Sequence, residues 1–179
     1  MKIVGLDLET TGLLAPEHRI IEVYAGVWDS DTRKLASFIN QRIDPERSIM
    51  AEAQRVHGIS LLDLVGKPKF KDVAPALHGM LARADLLVAH NGAEFDLPFL
   101  NMEFKRVGLS KIETPMFDTM TAGRWATAFG KVPNLGELCF ACDVSYDTSK
   151  AHAASYDVDV MMECFFKGIE WHNFELESK

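Results

Sequence analysis

Ile3-Val4-Gly5-Leu6-Asp7-Leu8-Glu9-Thr10-Thr11-Gly12 opens the chain almost at once. Residues 2–8 read as a buried strand, a short apolar run followed by a turn signal. Side chains alternate along a strand, so Asp7 and Glu9 point to the same side. Two carboxylates side by side at a strand's end repel each other unless cations or solvent are near. Their hard oxygens suit magnesium (Mg2+) or manganese (Mn2+). Gly12 lets the backbone turn sharply or a ligand approach closely. A D-x-E alone is as well explained by a polar strand end leading into a turn. The whole string is rarer: five fixed positions arise by chance at on the order of one in a million per start site.

Outward from this strand, residues 20–29 and 34–42 read as a second and a third, with Ser30-Asp31-Thr32 as the turn between them. Three strands joined this tightly imply an antiparallel start to a sheet. The pattern then changes to a short helix over 49–56 ending near Gly58, and to a helix over 70–83 with the stripe Phe70, Val73, Leu77, Met80 and Leu81. Leu86-Leu87-Val88-Ala89 is a short strand. Residues 95–107 are helical again, with Pro98 early enough to sit in the first turn. Residues 114–118 form a fifth strand, and helices follow near 119–128, 134–142 and 153–169. This order predicts an α/β architecture, a mixed sheet with helices on its faces.

The chain of 179 residues is long enough for one domain with a sizeable core, and 1–179 is taken as that domain. A hydrophobic fraction of 47% with 25% charged residues is ordinary for a globular protein. No apolar run is long enough to span a bilayer, and Met1-Lys2 leads into no secretory segment, so a cytoplasmic setting and no membrane partner are expected. The net charge of −7 argues against an extended basic surface for duplex nucleic acid. It does not argue against a nuclease, because a carboxylate cluster that holds divalent cations is itself acidic. The three cysteines suggest reduced thiols. Cys139 and Cys142 form a lone C-x-x-C without the second ligand pair of a closed zinc site, and read as small buried residues on a helix face.

Two further motifs join the first. His90-Asn91-Gly92-Ala93-Glu94-Phe95-Asp96 follows the strand at 86–89 and opens a helix; Asp96 there also suits the helix dipole. His152-Ala153-Ala154-Ser155-Tyr156-Asp157 has the form His-x4-Asp. Together with Asp-x-Glu-Thr-Thr-Gly they resemble the three exonuclease motifs of the DEDD superfamily, in its DnaQ-like (DEDDh) branch. The resemblance runs from Asp7 to about residue 169. The second motif has three residues between Asn91 and Phe95 where two are usual, a spacing similar to that of exonuclease domains in replicative polymerases. The sister branch, which uses tyrosine in place of the histidine, is excluded because Val160 stands where Tyr156 would need an aspartate. Asp159 competes with Asp157, but the histidine spacing favours Asp157, and Asp159 reads as a solvated helix residue.

The resemblance implies a ribonuclease H-like fold: a mixed five-stranded sheet, three antiparallel strands and then parallel ones, flanked by helices. It also implies a 3′-5′ exonuclease that releases nucleoside 5′-monophosphates. Asp7, Glu9, Asp96 and Asp157 would hold two ions of Mg2+ or Mn2+ roughly 4 Å apart, one activating water and one stabilising the leaving oxygen. Asp7 would bridge both ions. His152 would take the proton of the attacking water, its side chain being suited to a general base near neutral pH. Thr10, Thr11 and Leu13 resemble the family's contacts to the 3′ hydroxyl and terminal base. His57, in Val56-His57-Gly58-Ile59, falls near the terminal nucleotide, with a glycine-capped helix end as the plainer reading. Asn91 joins this set. Phe99 offers a stacking ring, although its place on a helix after Asp96 favours core packing. Asp118 reads as a helix cap, and Lys131 as a phosphate contact or a solvated loop lysine.

The expected partner is the 3′ end of single-stranded nucleic acid, DNA ahead of RNA, with a DNA polymerase as a further partner. An exoribonuclease with the same acids is the first alternative, since telling the sugars apart requires sensing the 2′-OH. A catalytically inactive end-binding or polymerase-binding module is the second. Such a module is expected to have lost an acid, and here all four acids and His152 are present.

Overall fold

In the computed structural model, which describes residues 1–176, the opening strand β1 runs Lys2–Thr10, so that Asp7 and Glu9 lie inside it rather than beyond its end. β2 spans Ile20–Asp29 and β3 Leu35–Arg42, close to the bounds their alternation predicts. β4 is Leu86–Ala89 and β5 is Met116–Asp118. The sheet order is β3-β2-β1-β4-β5. β1–β2 and β2–β3 pair antiparallel, β1–β4 and β4–β5 parallel. The mixed five-stranded sheet is therefore the expected one. Of the single domain expected over 1–179, residues 177–179 lie outside the described residues.

The helices are α1 (Ala51–His57), α2 (Phe70–Ala82), α3 (Asp96–Arg106), α4 (Thr119–Ala122), α5 (Leu135–Ala141) and α6 (Ala154–Glu170). α1 stops at Gly58, whose φ of 70° is the left-handed conformation glycine adopts most readily. The helix expected near 119–128 is a single α turn followed by 3-10 turns at Gly123–Ala126 and Ala128–Gly130. Gly123, where the α turn ends, lowers the helix propensity of this segment, and Phe129 just beyond it takes a positive φ of 58°. A 3-10 turn at Leu61–Leu64 lies where no element was expected.

The two faces of the sheet carry separate cores. Val4, Leu6 and Leu8 of β1 face one way, into a cluster with Phe70, Leu77 and Leu81 of α2 and Phe99, Leu100 and Phe104 of α3. Ile3 faces the other way, among Leu138, Val158, Met161 and Phe165 of α5 and α6. Strand alternation then puts Asp7 and Glu9 on the α6 side. Gly5 lets α6 come close, since a β-carbon there would stand 2.7 Å from the Met162 side chain. Among the described residues no helix is long and apolar enough to cross a membrane.

Candidate active site

Three elements bring the acids together. β1 presents Asp7 and Glu9, α3 begins on Asp96, and the first turns of α6 carry Asp157. Asp7, Glu9, Asp96, Asp157 and His152 line one cavity of about 890 Å³ with Thr10, Leu13, His57, Asn91 and Phe95.

The His-x4-Asp spacing has a local physical reason. The His152 backbone N–H donates to Asp157 Oδ2 at 2.8 Å, so the aspartate caps the entry to α6. This bond holds His152 at a φ of 64°, unusual for a residue with a β-carbon. The imidazole stands exposed at the cavity wall. Asp159 lines a different cleft with Trp28 and Arg33, apart from the other acids.

The Asp96 loop is held from below. Asp118, at the end of β5, accepts hydrogen bonds from Asn91 N (3.0 Å) and Ala93 N (3.2 Å), and from Met120 N (2.9 Å). It is thus the helix cap read from the sequence and also the anchor of the segment before Asp96. His90 is occupied at both ring nitrogens, by Thr119 Oγ1 (3.0 Å) and the Pro133 carbonyl (3.1 Å), and so orders the loop.

The electrostatics of the cluster are those of anions kept from water. Burial raises the Asp7 carboxyl well above its usual value, and Asp96, Glu9 and Asp157 push it further. Glu9 is pushed up to about 8, first by burial and then by Glu22, which pairs directly opposite it on β2. Glu22 is itself held by Arg42 Nε at 2.9 Å. Burial carries Asp96 up to about 7, with Asp118 adding to the shift. Asp157 is raised by burial and partly relieved by the His152 N–H.

Among the described residues no three Asp, Glu, His or Cys side chains already close around one point. The four acids repel one another across the cavity. Their chemistry nevertheless fits divalent cations. Asp96 Oδ1 and Asp157 Oδ1 are buried without a hydrogen-bond partner, and a hard cation would satisfy such oxygens and relieve the repulsion.

The structure corrects several expectations around the cluster. Phe99 is 1% exposed within the α2–α3 core and offers no face to a base. Phe95, one helical turn earlier with its ring 4.9 Å away, faces the cavity instead. Thr11 is fully buried, its hydroxyl 3.1 Å from His18 Nδ1 and accepting from Arg19 N, so it fixes the β1–β2 loop rather than facing a ligand. Gly12 makes a close approach to the His18 ring, 2.4 Å from where a β-carbon would stand, and also lines the cavity. Thr10 lines the cavity, but its hydroxyl donates to the Gly12 carbonyl at 2.7 Å. Leu13 stands 78% exposed at the rim. His57 Nδ1 accepts from Ile59 N at 3.0 Å, while its Nε2 is buried without a partner. Lys131 is paired with Glu137 at 2.8 Å. Cys139 and Cys142 are buried as expected, with Cys164 Sγ 3.6 Å from Cys139 Sγ.

One clamp was not legible in the sequence. Glu103, fully buried, binds Arg19 Nε at 2.6 Å and Arg106 at 3.2 Å. Arg106 also donates to the carbonyls of Ala15, Pro16 and His18. The loop that carries Leu13 is thereby tied to α3, which carries Asp96. The only available signal is an i,i+3 Glu–Arg pair, a pattern found on many solvent-exposed helices.

Comparison with known proteins places this geometry. The RNase T family model, described as "Exonuclease", matches residues 4–165. The DNA polymerase III subunit epsilon of Treponema pallidum is 32% identical over 173 residues, covering 94% of this chain and 76% of that protein. The PolC-type DNA polymerase III of Halalkalibacterium halodurans is 33% identical over 158 residues, covering 88% of this chain and only 11% of the polymerase. A structure of Escherichia coli exonuclease I in complex with a dA16 oligonucleotide superposes with a TM-score of 0.81 at 16% identity, over 94% of this chain and 41% of that one. This last likeness is one of fold.

Proposed function

The chain belongs to the DnaQ-like exonucleases of RNase T type, and from that premise we propose that it removes nucleotides one at a time from the 3′ ends of single-stranded DNA, releasing nucleoside 5′-monophosphates. The observation that carries this reading is the convergence of Asp7, Glu9, Asp96 and Asp157 beside His152, with two buried carboxylate oxygens left unpartnered. DNA is preferred over RNA because the relatives are named as DNA polymerase III components. The same names make a DNA polymerase the proposed protein partner, in the cytoplasm.

In this reading Asp7, Glu9, Asp96 and Asp157 would hold two ions of Mg2+ or Mn2+. Bound divalent cations supply charge stabilisation to the phosphodiester and lower the pKa of the attacking water. His152 takes that water's proton, and Asp157 holds the backbone that aims the imidazole. Leu13 and Phe95 bracket the terminal base, which requires the loop–α3 clamp made by Glu103. Asn91 and His57, which line the cavity, meet the sugar or a phosphate oxygen. Thr10 contributes through the backbone it fixes.

The test uses strands labelled at either end. Single-stranded DNA, duplex DNA and RNA of one sequence are incubated with magnesium, beside an Asp7→Ala control. A 5′-labelled DNA strand should shorten stepwise, a 3′-labelled one should release labelled mononucleotide at once, and both should stop in the control. Shortening from the 5′ end, or equal trimming of RNA, would overturn the direction or the sugar assignment respectively.

A further inference from the structure

Away from the acids, the cysteines of the chain meet between α5 and α6. Cys139 lies in α5, Cys142 caps its C-terminal end, and Cys164 lies in α6. The Cys164 thiol donates to Cys139 Sγ at 3.6 Å. Cys142 Sγ donates instead to the Cys164 main-chain carbonyl at 3.8 Å. All three are buried, in one core cluster with Leu138 and Val144.

Two sulfurs in contact across two helices are placed for a bond. A disulfide brings them to about 2.05 Å. From 3.6 Å the remaining closure is small enough for side-chain torsions to supply. Burial keeps the pair reduced in the closed state, because a buried thiol in apolar surroundings is inert. The cover is a stretch of chain without regular structure. Between Ala141 and Ala154 the backbone forms only turns. It is tied down by the Val144 N–H on the Cys139 carbonyl, at 2.8 Å, and by Lys167 Nζ on the Asp143 carbonyl, at 2.7 Å. Such a segment opens more readily than a helix or a strand.

The same segment carries His152 and leads to Asp157 at the start of α6. At its other end α5 follows Pro133, whose carbonyl is 3.1 Å from His90 Nε2. A covalent tie between α5 and α6 would therefore bracket one of the three segments that form the acid cluster and adjoin a second.

We propose that Cys139 and Cys164 form a thiol–disulfide site driven by peroxide, whose bond closes a covalent loop around the segment that carries His152 and Asp157. A Cys139 thiolate, reached when the segment opens, attacks hydrogen peroxide; the O–O bond breaks, one water leaves and a sulfenic acid remains. The Cys164 thiol then attacks that sulfur; the S–O bond breaks and a second water leaves. Two thiols lose two protons and two electrons, and one peroxide takes them up as two waters. The proposal stands apart from the exonuclease reading.

The test treats the full chain with hydrogen peroxide, labels the remaining thiols with N-ethylmaleimide under denaturing conditions, and maps peptides without reduction. The intact mass should fall by about 2 Da, the loss of two hydrogens in forming one disulfide. Cys142 alone should carry label, and one cross-linked peptide pair should join Cys139 to Cys164. The thermal midpoint should rise by about 5 to 10 °C for a loop of this length, and fall back on reduction. Amide exchange over 143–153 should slow in the same sample. Cys142→Ala should still form the bond, while Cys139→Ala and Cys164→Ala should show no rise in midpoint with peroxide. Three labelled thiols after treatment, oxygen adducts without a cross-link, or a bond through Cys142 each overturn the site. A Cys139–Cys164 bond that leaves midpoint and exchange unchanged overturns the closed loop.

Discussion

His152 and Asp157 are five residues apart and are linked by a hydrogen bond from the His152 backbone, which leaves the imidazole free to act on a ligand. His152→Ala removes the proton acceptor without touching the cap, which uses the main chain. The expected result is a fall in kcat of about 10²- to 10⁴-fold, with the thermal midpoint and the magnesium affinity unchanged. Single-turnover kinetics beside a magnesium titration measure both, and turnover near the wild-type rate would remove His152 from its role. The acids make a second prediction, in pH. Glu9 rises from 4.5 to about 8 and Asp96 from 3.8 to about 7, and Asp7 is raised as well. Folded values above unfolded ones mean that the metal-free native state binds protons more tightly than the unfolded chain. Stability is then full below the unfolded values and is lost as pH rises through the folded ones, from about 4 to about 8. Magnesium competes with those protons, so the rise in thermal midpoint on adding it to chelator-treated protein should be larger at pH 8 than at pH 5. Equal shifts at the two pH values would contradict the carboxylate assignment.

At the scale of elements, the site depends on how α3 and α6 are seated. α6, which carries Asp157, approaches β1 closely over Gly5. α3 is tied to the β1–β2 loop by Glu103, Arg19 and Arg106, with the glutamate fully buried and the arginines about a quarter exposed. Removing the carboxylate in Glu103→Ala leaves two guanidinium groups without their shared partner. The expected cost is about 3 kcal/mol, the lower end for a broken buried pair, since the arginines keep some access to water. Urea unfolding measures it. KM should rise together with the loss of stability, because the loop also carries Leu13. A stable variant with an unchanged KM would show that the clamp does not position the loop.

For the molecule as a whole, the net charge of −7 limits how it can hold a strand. Arg42, Lys67 and Lys150 line the polar cleft beside His152, with Arg42 engaged by Glu22. Contact with two or three phosphates corresponds to a slope of log affinity against log salt of about −1.4 to −2 on single strands. Fluorescence anisotropy with the Asp7→Asn variant should give that slope, with little affinity gained beyond about four nucleotides. A slope steeper than about −4 would point to an extended basic track and contradict this reading.

The strands, the helix over 70–83 and the α1 stop at Gly58 were legible because each follows from local rules: alternation, a 3.6-residue stripe, a left-handed cap. The same-side placement of Asp7 and Glu9 needed only strand alternation, and the spacing of His152 and Asp157 is itself a local cap. The segment over 119–128 has an apolar pattern that predicts a helix, but the α turn stops at Gly123 and continues as 3-10 turns. Phe95 and Phe99 show the limit most directly. They are four residues apart at the head of one helix and chemically identical, and only the packing of α3 against α2 buries Phe99 and leaves Phe95 to the cavity. Thr11 is likewise a motif residue whose hydroxyl was claimed by His18, seven positions along and across a loop. The sequence by itself determined the elements, the family and the residue types of the acid cluster, because those are written in short-range patterns. Tertiary structure alone decided which neighbouring side chains face the cavity and how far burial shifts the acids, because these depend on contacts between segments that the order of residues does not fix.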